Sequence, residues 1–160
     1  MKTAKQAAKQ AARKSLVTDA RAVIDTCAGI NVRLAARRIT WFLEERMRGT
    51  ALNIAQFGLM THIAAAHDDT IGALAERCGL DQSTLSRNLR LLERDGLVEI
   101  VTAEKDLRRR AVWLTEQGAS RLEAAMPVWR DAHAALATLI RPGQVRALAA
   151  RTQNLVKIRA

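Results

Sequence analysis

Residues 82–94 read Gln-Ser-Thr-Leu-Ser-Arg-Asn-Leu-Arg-Leu-Leu-Glu-Arg. At about 100° per residue, Leu85, Leu89 and Leu92 fall within one narrow arc of a helix. Ser83, Arg87, Arg90 and Arg94 fall on the opposite arc, with Ser86 at its edge. Such a helix is built to lie on a protein core and to face an anion. Asp81 or Ser83 suits its N-cap. The alternative is a plain solvated face. Such faces usually mix Glu with Lys or Arg, whereas Glu93 and Asp95 sit off this stripe.

A shorter helix is expected just before it, over residues 70–78. Thr70 can cap it, and Gly79 follows where the chain must turn with positive φ. Ala75 is small enough for a close crossing, and Leu74, Cys78, Leu80 and Leu85 supply the interior. Two helices about a glycine turn form the helix-turn-helix pattern, whose second helix enters the major groove. Plain helical bundles use such pairs too.

The segment after the pair narrows the reading. Gly96 ends the second helix. Leu97-Val98-Glu99-Ile100-Val101 and Arg109-Arg110-Ala111-Val112-Trp113-Leu114 are β-rich runs with a polar connection between them, the pattern of a hairpin. A hairpin at once after a recognition helix is a wing. Its tip holds Lys105, Asp106, Arg108, Arg109 and Arg110, and a basic tip suits phosphates or the neighbouring minor groove.

Outside this motif the pattern is helical. Residues 18–48 predict one long helix with two adjacent apolar stripes: Ile24, Ala28, Val32, Ala35, Ile39 and Phe42, then Cys27, Ile30, Leu34 and Trp41. So wide an apolar arc needs cover on more than one side. Residues 54–66 carry Phe57, Leu59, Met60 and Ile63 as core. Thr115 can cap a helix reaching about residue 140, with Leu122, Met126, Trp129, His133, Leu136 and Ile140 at helical spacing. Pro127 within it is expected to bend it. Pro142 suits the first turn of a last helix carrying Val145, Leu148, Leu155 and Val156. Amphipathic helices at both ends of a short chain point to an interleaved homodimer.

The fold class expected is therefore mainly α with a small β-hairpin. A winged helix-turn-helix domain spans about 53–114. Dimerisation helices flank it at about 18–48 and 115–160, and a basic arm occupies 1–17.

Charge changes this picture less than it first suggests. The chain has 160 residues, 26 Lys and Arg against 16 Asp and Glu, and a formal net charge of +10. The 16 basic and 16 acidic side chains of residues 15–140 cancel. The excess lies in residues 1–14, with Lys2, Lys5, Lys9, Arg13 and Lys14, and in residues 141–160, with Arg141, Arg146, Arg151, Lys157 and Arg159. The case for the winged motif rests on geometry, not on bulk basicity. The N-terminal segment reads as a frayed helix or mobile arm, able to add salt-sensitive phosphate contacts or simply to solubilise.

Other chemistries find little support. No apolar run approaches membrane-spanning length and no secretory h-region opens the chain, so no membrane is expected. Cys27 and Cys78 form neither a disulfide framework nor a metal site, in keeping with a reducing cytoplasm. His62, His67 and His133 are not at ligand spacing with a cysteine or one another. No nucleophile elbow, phosphate loop or carboxylate pair appears. The expectation is no enzyme, no cofactor and no metal.

The chain resembles the MarR family (multiple-antibiotic-resistance regulators) of winged helix-turn-helix proteins. The resemblance lies in Gln56-Phe57, in residues 73–98 (ALAERCGLDQSTLSRNLRLLERDGLV), in Asp106-Leu107-Arg108, and in Leu114-Thr115 followed by Gly118. It extends to residues 31–37 and 127–130, and covers roughly residues 20–158. It implies that Arg108 reaches into the minor groove while Asp106 holds an arginine by an ion pair. It implies DNA contacts along the recognition helix from Ser83 to Arg94, and a dimer. It also implies an effector pocket for a small aromatic or anionic molecule, for which Arg38, Trp41, Met60, His62 and Trp129 are the candidates. Each of these has a plainer reading, Trp41 and Met60 as core and Arg38 as a surface charge. Some relatives sense peroxides through a first-helix cysteine supported by tyrosines. This chain has no Tyr, and the register puts Gly29 rather than Cys27 at that place, so Cys27 reads as structural. Cys78 reads as inert core.

The function expected is a homodimeric, sequence-specific regulator of double-stranded DNA, a repressor released from a pseudo-palindromic operator by a small effector. Its half-sites should lie about one helical turn, roughly 10 bp, apart. The DNA-binding candidates are Ser83, Thr84, Ser86, Arg87, Arg90, Arg94, Lys105, Asp106, Arg108 and Arg110. The alternatives are a non-specific architectural DNA-binding protein that uses its basic tails, and a protein-interaction module that reuses the winged fold.

Overall fold

Leucines Leu85, Leu89 and Leu92 are 0%, 0% and 1% exposed, so the apolar arc read from the sequence is the arc that meets the core. The computed structural model describes residues 2–66, 70–103, 106–153 and 155, with side chains described at 13–66, 70–101, 111–153 and 155. Among these, seven helices and one antiparallel hairpin follow in order: α1 (Lys2–Thr26), α2 (Ala28–Met47), α3 (Ile54–Ala64), α4 (Ile71–Cys78), α5 (Gln82–Arg94), β1 (Val98–Ala103), β2 (Asp106–Leu114), α6 (Glu116–Ala137) and α7 (Pro142–Thr152). The chain divides into two compact units, Met1–Phe42 and Leu43–Ala160.

In the first unit, the long helix expected over residues 18–48 is broken at Cys27, and its N-terminal part begins at Lys2. The basic segment is thus part of α1, which runs unbroken through residue 17. The break has a local cause. The Asn31 side-chain amide donates to the carbonyls of Ile24 at 3.1 Å, Asp25 at 3.3 Å and Cys27 at 3.1 Å. A side chain inserted among backbone acceptors is a recognised origin of helix breaks. Leu16, Val17, Val23, Ile24, Val32 and Leu34 are all exposed, and Trp41, read as core, is 66% exposed.

The second unit holds the core. Before α3, Ala51 sits at φ 56°, a left-handed conformation unusual for a residue with a Cβ. The start of α3 is then fixed by a capping box. The Gln56 N–H donates to Asn53 Oδ1 at 2.8 Å, and the Asn53 N–H donates to Gln56 Oε1 at 3.0 Å. The Ile54 N–H donates to Glu44 Oε1 at 3.0 Å, satisfying another free donor of the first turn. The helix ends at Ala64, two residues before the expected limit. Phe57, Leu59, Met60 and Ile63 are buried against Leu74, Leu89 and Leu122 in one cluster.

The hairpin pairs Val98 with Leu114, Ile100 with Val112 and Thr102 with Arg110, with an irregularity between Thr102 and Ala103. Side chains alternate faces along a strand. Val98 and Val112 are accordingly buried, whereas Glu99, Val101 and Trp113 are exposed. Thr70 adds a single bridge to Ala111, tying the start of α4 to the wing. The next helix, α6, packs on α3 and β2 and stops at Ala137, short of residue 140. Pro127 lies within it without dividing it. Pro142 opens α7, whose Val145 and Leu148 are exposed.

Candidate nucleic-acid interface

The helix pair is set by its caps. Thr70 Oγ1 accepts from the Ala73 N–H at 3.2 Å and starts α4. Gly79, at φ 62°, ends it, and the Leu80 N–H returns to the Ala75 carbonyl at 3.0 Å. Only two residues then separate the turn from α5. Ala75 is buried in the core cluster, and α4 packs on α5.

Asp81 starts α5. Its Oδ1 accepts from the Thr84 N–H at 2.9 Å and from the Ser83 hydroxyl at 2.6 Å, and its Oδ2 accepts from the Thr84 hydroxyl at 2.7 Å. The Ser83 hydroxyl first, then the Thr84 N–H and hydroxyl, hold the Asp81 carboxyl well below the usual carboxylate range. A hydroxyl has one proton to donate and two lone pairs. With both protons held by Asp81, Ser83 and Thr84 present acceptor oxygens to whatever approaches. In the major groove, the matching donors are the amino groups of adenine and cytosine.

Beyond this cap, the outer face of α5 is cationic. Ser83, Arg87, Arg90 and Arg94 are exposed, while Thr84 and Ser86 are half-buried. Among the described residues, Arg87 and Arg90 make no ion pair. Arg94 differs. Its Nη2 and Nε donate to Asp95 Oδ1 at 3.0 Å and 3.1 Å, so Asp95 engages the stripe rather than lying clear of it. Exposed pairs of this kind contribute little and exchange readily.

The wing places Asp106, Arg108 and Arg110 on β2, which follows α5 and β1 in the chain. Their side chains and the whole of Lys105 lie outside the described residues, so the ion pair expected at Asp106 does too. Residues 67–69, His67 among them, likewise lie outside them.

The effector candidates are placed individually. In α2, Arg38 and Trp41 are exposed. In α3, Met60 is fully buried and His62 is exposed. In α6, Trp129 is half-buried, its ring 5.9 Å from Phe57 and 4.4 Å from His133. Met60 is thus core. The shallow cleft between α3 and α5 is lined by Asn53, Gln56, Leu59, Asn88 and Leu91, none of them among the candidates.

Cys27 and Cys78 are both free thiols and half-buried. Burial pushes the Cys78 thiol up, against a smaller opposing pull from Arg77, which disfavours the reactive thiolate. Among the described residues, no three His, Cys, Asp or Glu side chains gather as a metal site, and no helix is long and apolar enough to cross a membrane.

Thr115 and Gly118 make contacts just beyond the end of α5 that the sequence pattern does not show. The Thr115 hydroxyl donates to the Gly96 carbonyl at 2.6 Å and accepts from the Gly118 N–H at 3.0 Å. Gly118 is buried against Leu97, where a Cβ would come within 1.9 Å of the Leu97 carbonyl oxygen. The helix-start pattern Thr115-x-x-Gly118 was visible, but the approach of Leu97 was not.

A two-helix motif with a capped, cationic second helix and a following hairpin defines a winged helix-turn-helix DNA-binding protein. Residues 52–109 match the sequence model of the MarR family. The structure is similar to that of the M. tuberculosis transcriptional regulator MosR in complex with DNA. The TM-score is 0.76 at 31% identity, over 84% of this chain and 99% of MosR. It is similar to wild-type E. coli MarR in its apo form, with TM-score 0.61 at 25% identity over 83% of this chain and 97% of that one. The S. aureus MepR–DNA complex, at 17% identity, shares the fold with TM-score 0.67, over 81% and 96% of the two chains. No curated protein sequence matches. The chain belongs to the MarR family of DNA-binding transcriptional regulators.

Proposed function

We propose that this regulator binds a pseudo-palindromic operator as a homodimer and acts as a repressor in the cytoplasm. The observation that carries the reading is the two-sidedness of α5. Leu85, Leu89 and Leu92 are wholly buried while Arg87 and Arg90 stand exposed without an ion pair among the described residues. Arginine in this position reads guanine O6 and N7 bidentately. Exposed apolar side chains on α1, α2 and α7, such as Leu16, Ile24 and Leu148, support burial by a second copy. Two-fold symmetry then sets the half-site spacing at about 10 bp. Residues 106–110 of the wing supply minor-groove and phosphate contacts. A small aromatic or anionic effector releases the DNA.

Selection of bound sequences from random duplex DNA tests this reading. Enrichment of two inverted half-sites one turn apart is expected; an unenriched pool would exclude it.

A second reading is favoured by one observation, the concentration of the charge excess in residues 1–14 and 141–160. In it, tails bind DNA without sequence preference. It requires a strong salt dependence equal for all duplexes.

A further inference from the structure

The start of α6 is built into the end of the recognition helix. Gly96, at φ 70°, closes the chain after α5, and its carbonyl accepts the Thr115 hydroxyl at 2.6 Å. The next carbonyl, Leu97, accepts the Thr115 N–H at 3.2 Å. Leu97 itself is tied back to α5 through its N–H, which donates to the Leu92 carbonyl at 2.8 Å. Gly118 then lies so close to the Leu97 carbonyl that even a methyl group has no room. Two hydrogen bonds and one hard contact therefore join the start of α6 to Gly96 and Leu97, and Leu97 is bonded in turn to the last turn of α5. A rotation of α6 about this point either drives Gly118 into Leu97 or breaks the Thr115 bonds. Because packed interiors resist compression, α5 must follow.

The far end of α6 lies about 33 Å away by its 22 residues. Beyond it stand Leu139, 77% exposed, and the exposed Val145 and Leu148 of α7. The α7 side chains are part of the surface assigned above to the second copy. The helix thus runs from the dimer contact to the base of the recognition helix.

We propose that Thr115 and Gly118 are positioning residues that set the operator spacing this protein accepts. They couple α6 to α5, so that the separation of the two recognition helices is fixed by the dimer and not by the DNA. The proposal rests on the dimeric DNA-binding reading. Thr115 touches no base in this scheme. Its effect falls on the distance between half-sites and leaves the reading of each half-site intact.

Three substitutions separate coupling from simple helix capping. Thr115→Ser keeps both hydroxyl bonds. Thr115→Asp keeps an acceptor for the Gly118 N–H, as a good N-cap, but has no proton for the Gly96 carbonyl. Thr115→Val loses both. Affinity is measured for a single selected half-site and for pairs of half-sites at the selected spacing and at one or two base pairs more or less. Wild type and Thr115→Ser should prefer one spacing sharply. In Thr115→Asp and Thr115→Val that preference should fall at least tenfold, with half-site discrimination unchanged. If Thr115→Asp keeps the wild-type spacing preference, Thr115 is only a cap and the proposal is overturned. Loss of half-site discrimination in the variants would overturn it as well. Should one variant fail to fold, the other, compared with Thr115→Ser, gives the same answer. If wild type binds two half-sites no better than one, the dimeric reading itself fails and the coupling with it.

Discussion

Substituting Gly118 by Ala sets two effects of opposite sign against each other. Gly118 is the third residue of α6, and glycine in a helix is less favourable than alanine by about 1 kcal/mol. On local propensity alone, Gly118→Ala should stabilise. The tertiary structure says otherwise. The new Cβ would lie 1.9 Å from the Leu97 carbonyl oxygen and 2.9 Å from its carbon. Ordinary contact begins near 3.4 Å, so α6 and Leu97 must separate by roughly 1.5 Å. The obstacle is backbone, held by the Thr115 and Leu92 hydrogen bonds, and cannot swing aside like a side chain. Overpacking of this kind costs about 3 kcal/mol. Subtracting the propensity gain leaves a net loss of about 2 kcal/mol. For a chain of this size that lowers Tm by about 4–8 °C. Thermal unfolding followed by circular dichroism, at one fixed protein concentration, measures it. An unchanged or raised Tm would refute the close approach on which the α6 junction rests.

Three further outcomes follow from the same structure. Ala51→Gly relieves a left-handed residue and should raise stability by about 0.5–1 kcal/mol, read as a higher urea midpoint; a lower midpoint would contradict the strain. The folded Asp81 carboxyl lies below its unfolded value near 3.9, so its contribution is complete above about pH 4 and is lost as pH falls further. Asp81→Asn keeps a cap without that titration, so its helicity should fall less steeply than wild type below pH 4; equal acid limbs would count against the Asp81 geometry. Deleting residues 1–14 should reduce the slope of log affinity against log salt by about 0.9 for each phosphate the arm neutralises, while the preferred sequence stays the same. An unchanged slope would leave the arm without a role in binding DNA.

The parts of this molecule that were legible in the sequence are those whose cause is local. Thr70, Gly79, Asp81 and Gly96 mark ends that depend on neighbouring residues, and all four stand at the boundaries they announce. The leucine arc of α5 is a periodicity, and periodicity survives folding. What stayed hidden depends on residues that meet from elsewhere. The break at Cys27 comes from an Asn31 amide reaching back as far as Ile24. The burial of Gly118 depends on Leu97, brought to it by the hairpin between them. The polarity of Ser83 and Thr84 depends on which oxygen takes their protons. Trp41 lies on an apolar stripe, and the described chain leaves it exposed, as a residue awaiting a second surface would be.

The central claim is that the exposed face of α5 reads bases. Its most direct measurement compares Arg87→Ala with wild type on the selected operator and on operators changed one base pair at a time, at a stated salt concentration. If Arg87 contacts guanine, the substitution costs about 1–3 kcal/mol on the selected operator and removes discrimination at one position in each half-site. If Arg87→Ala weakens binding to every duplex equally, or leaves it unchanged, the recognition face assigned to α5 is wrong.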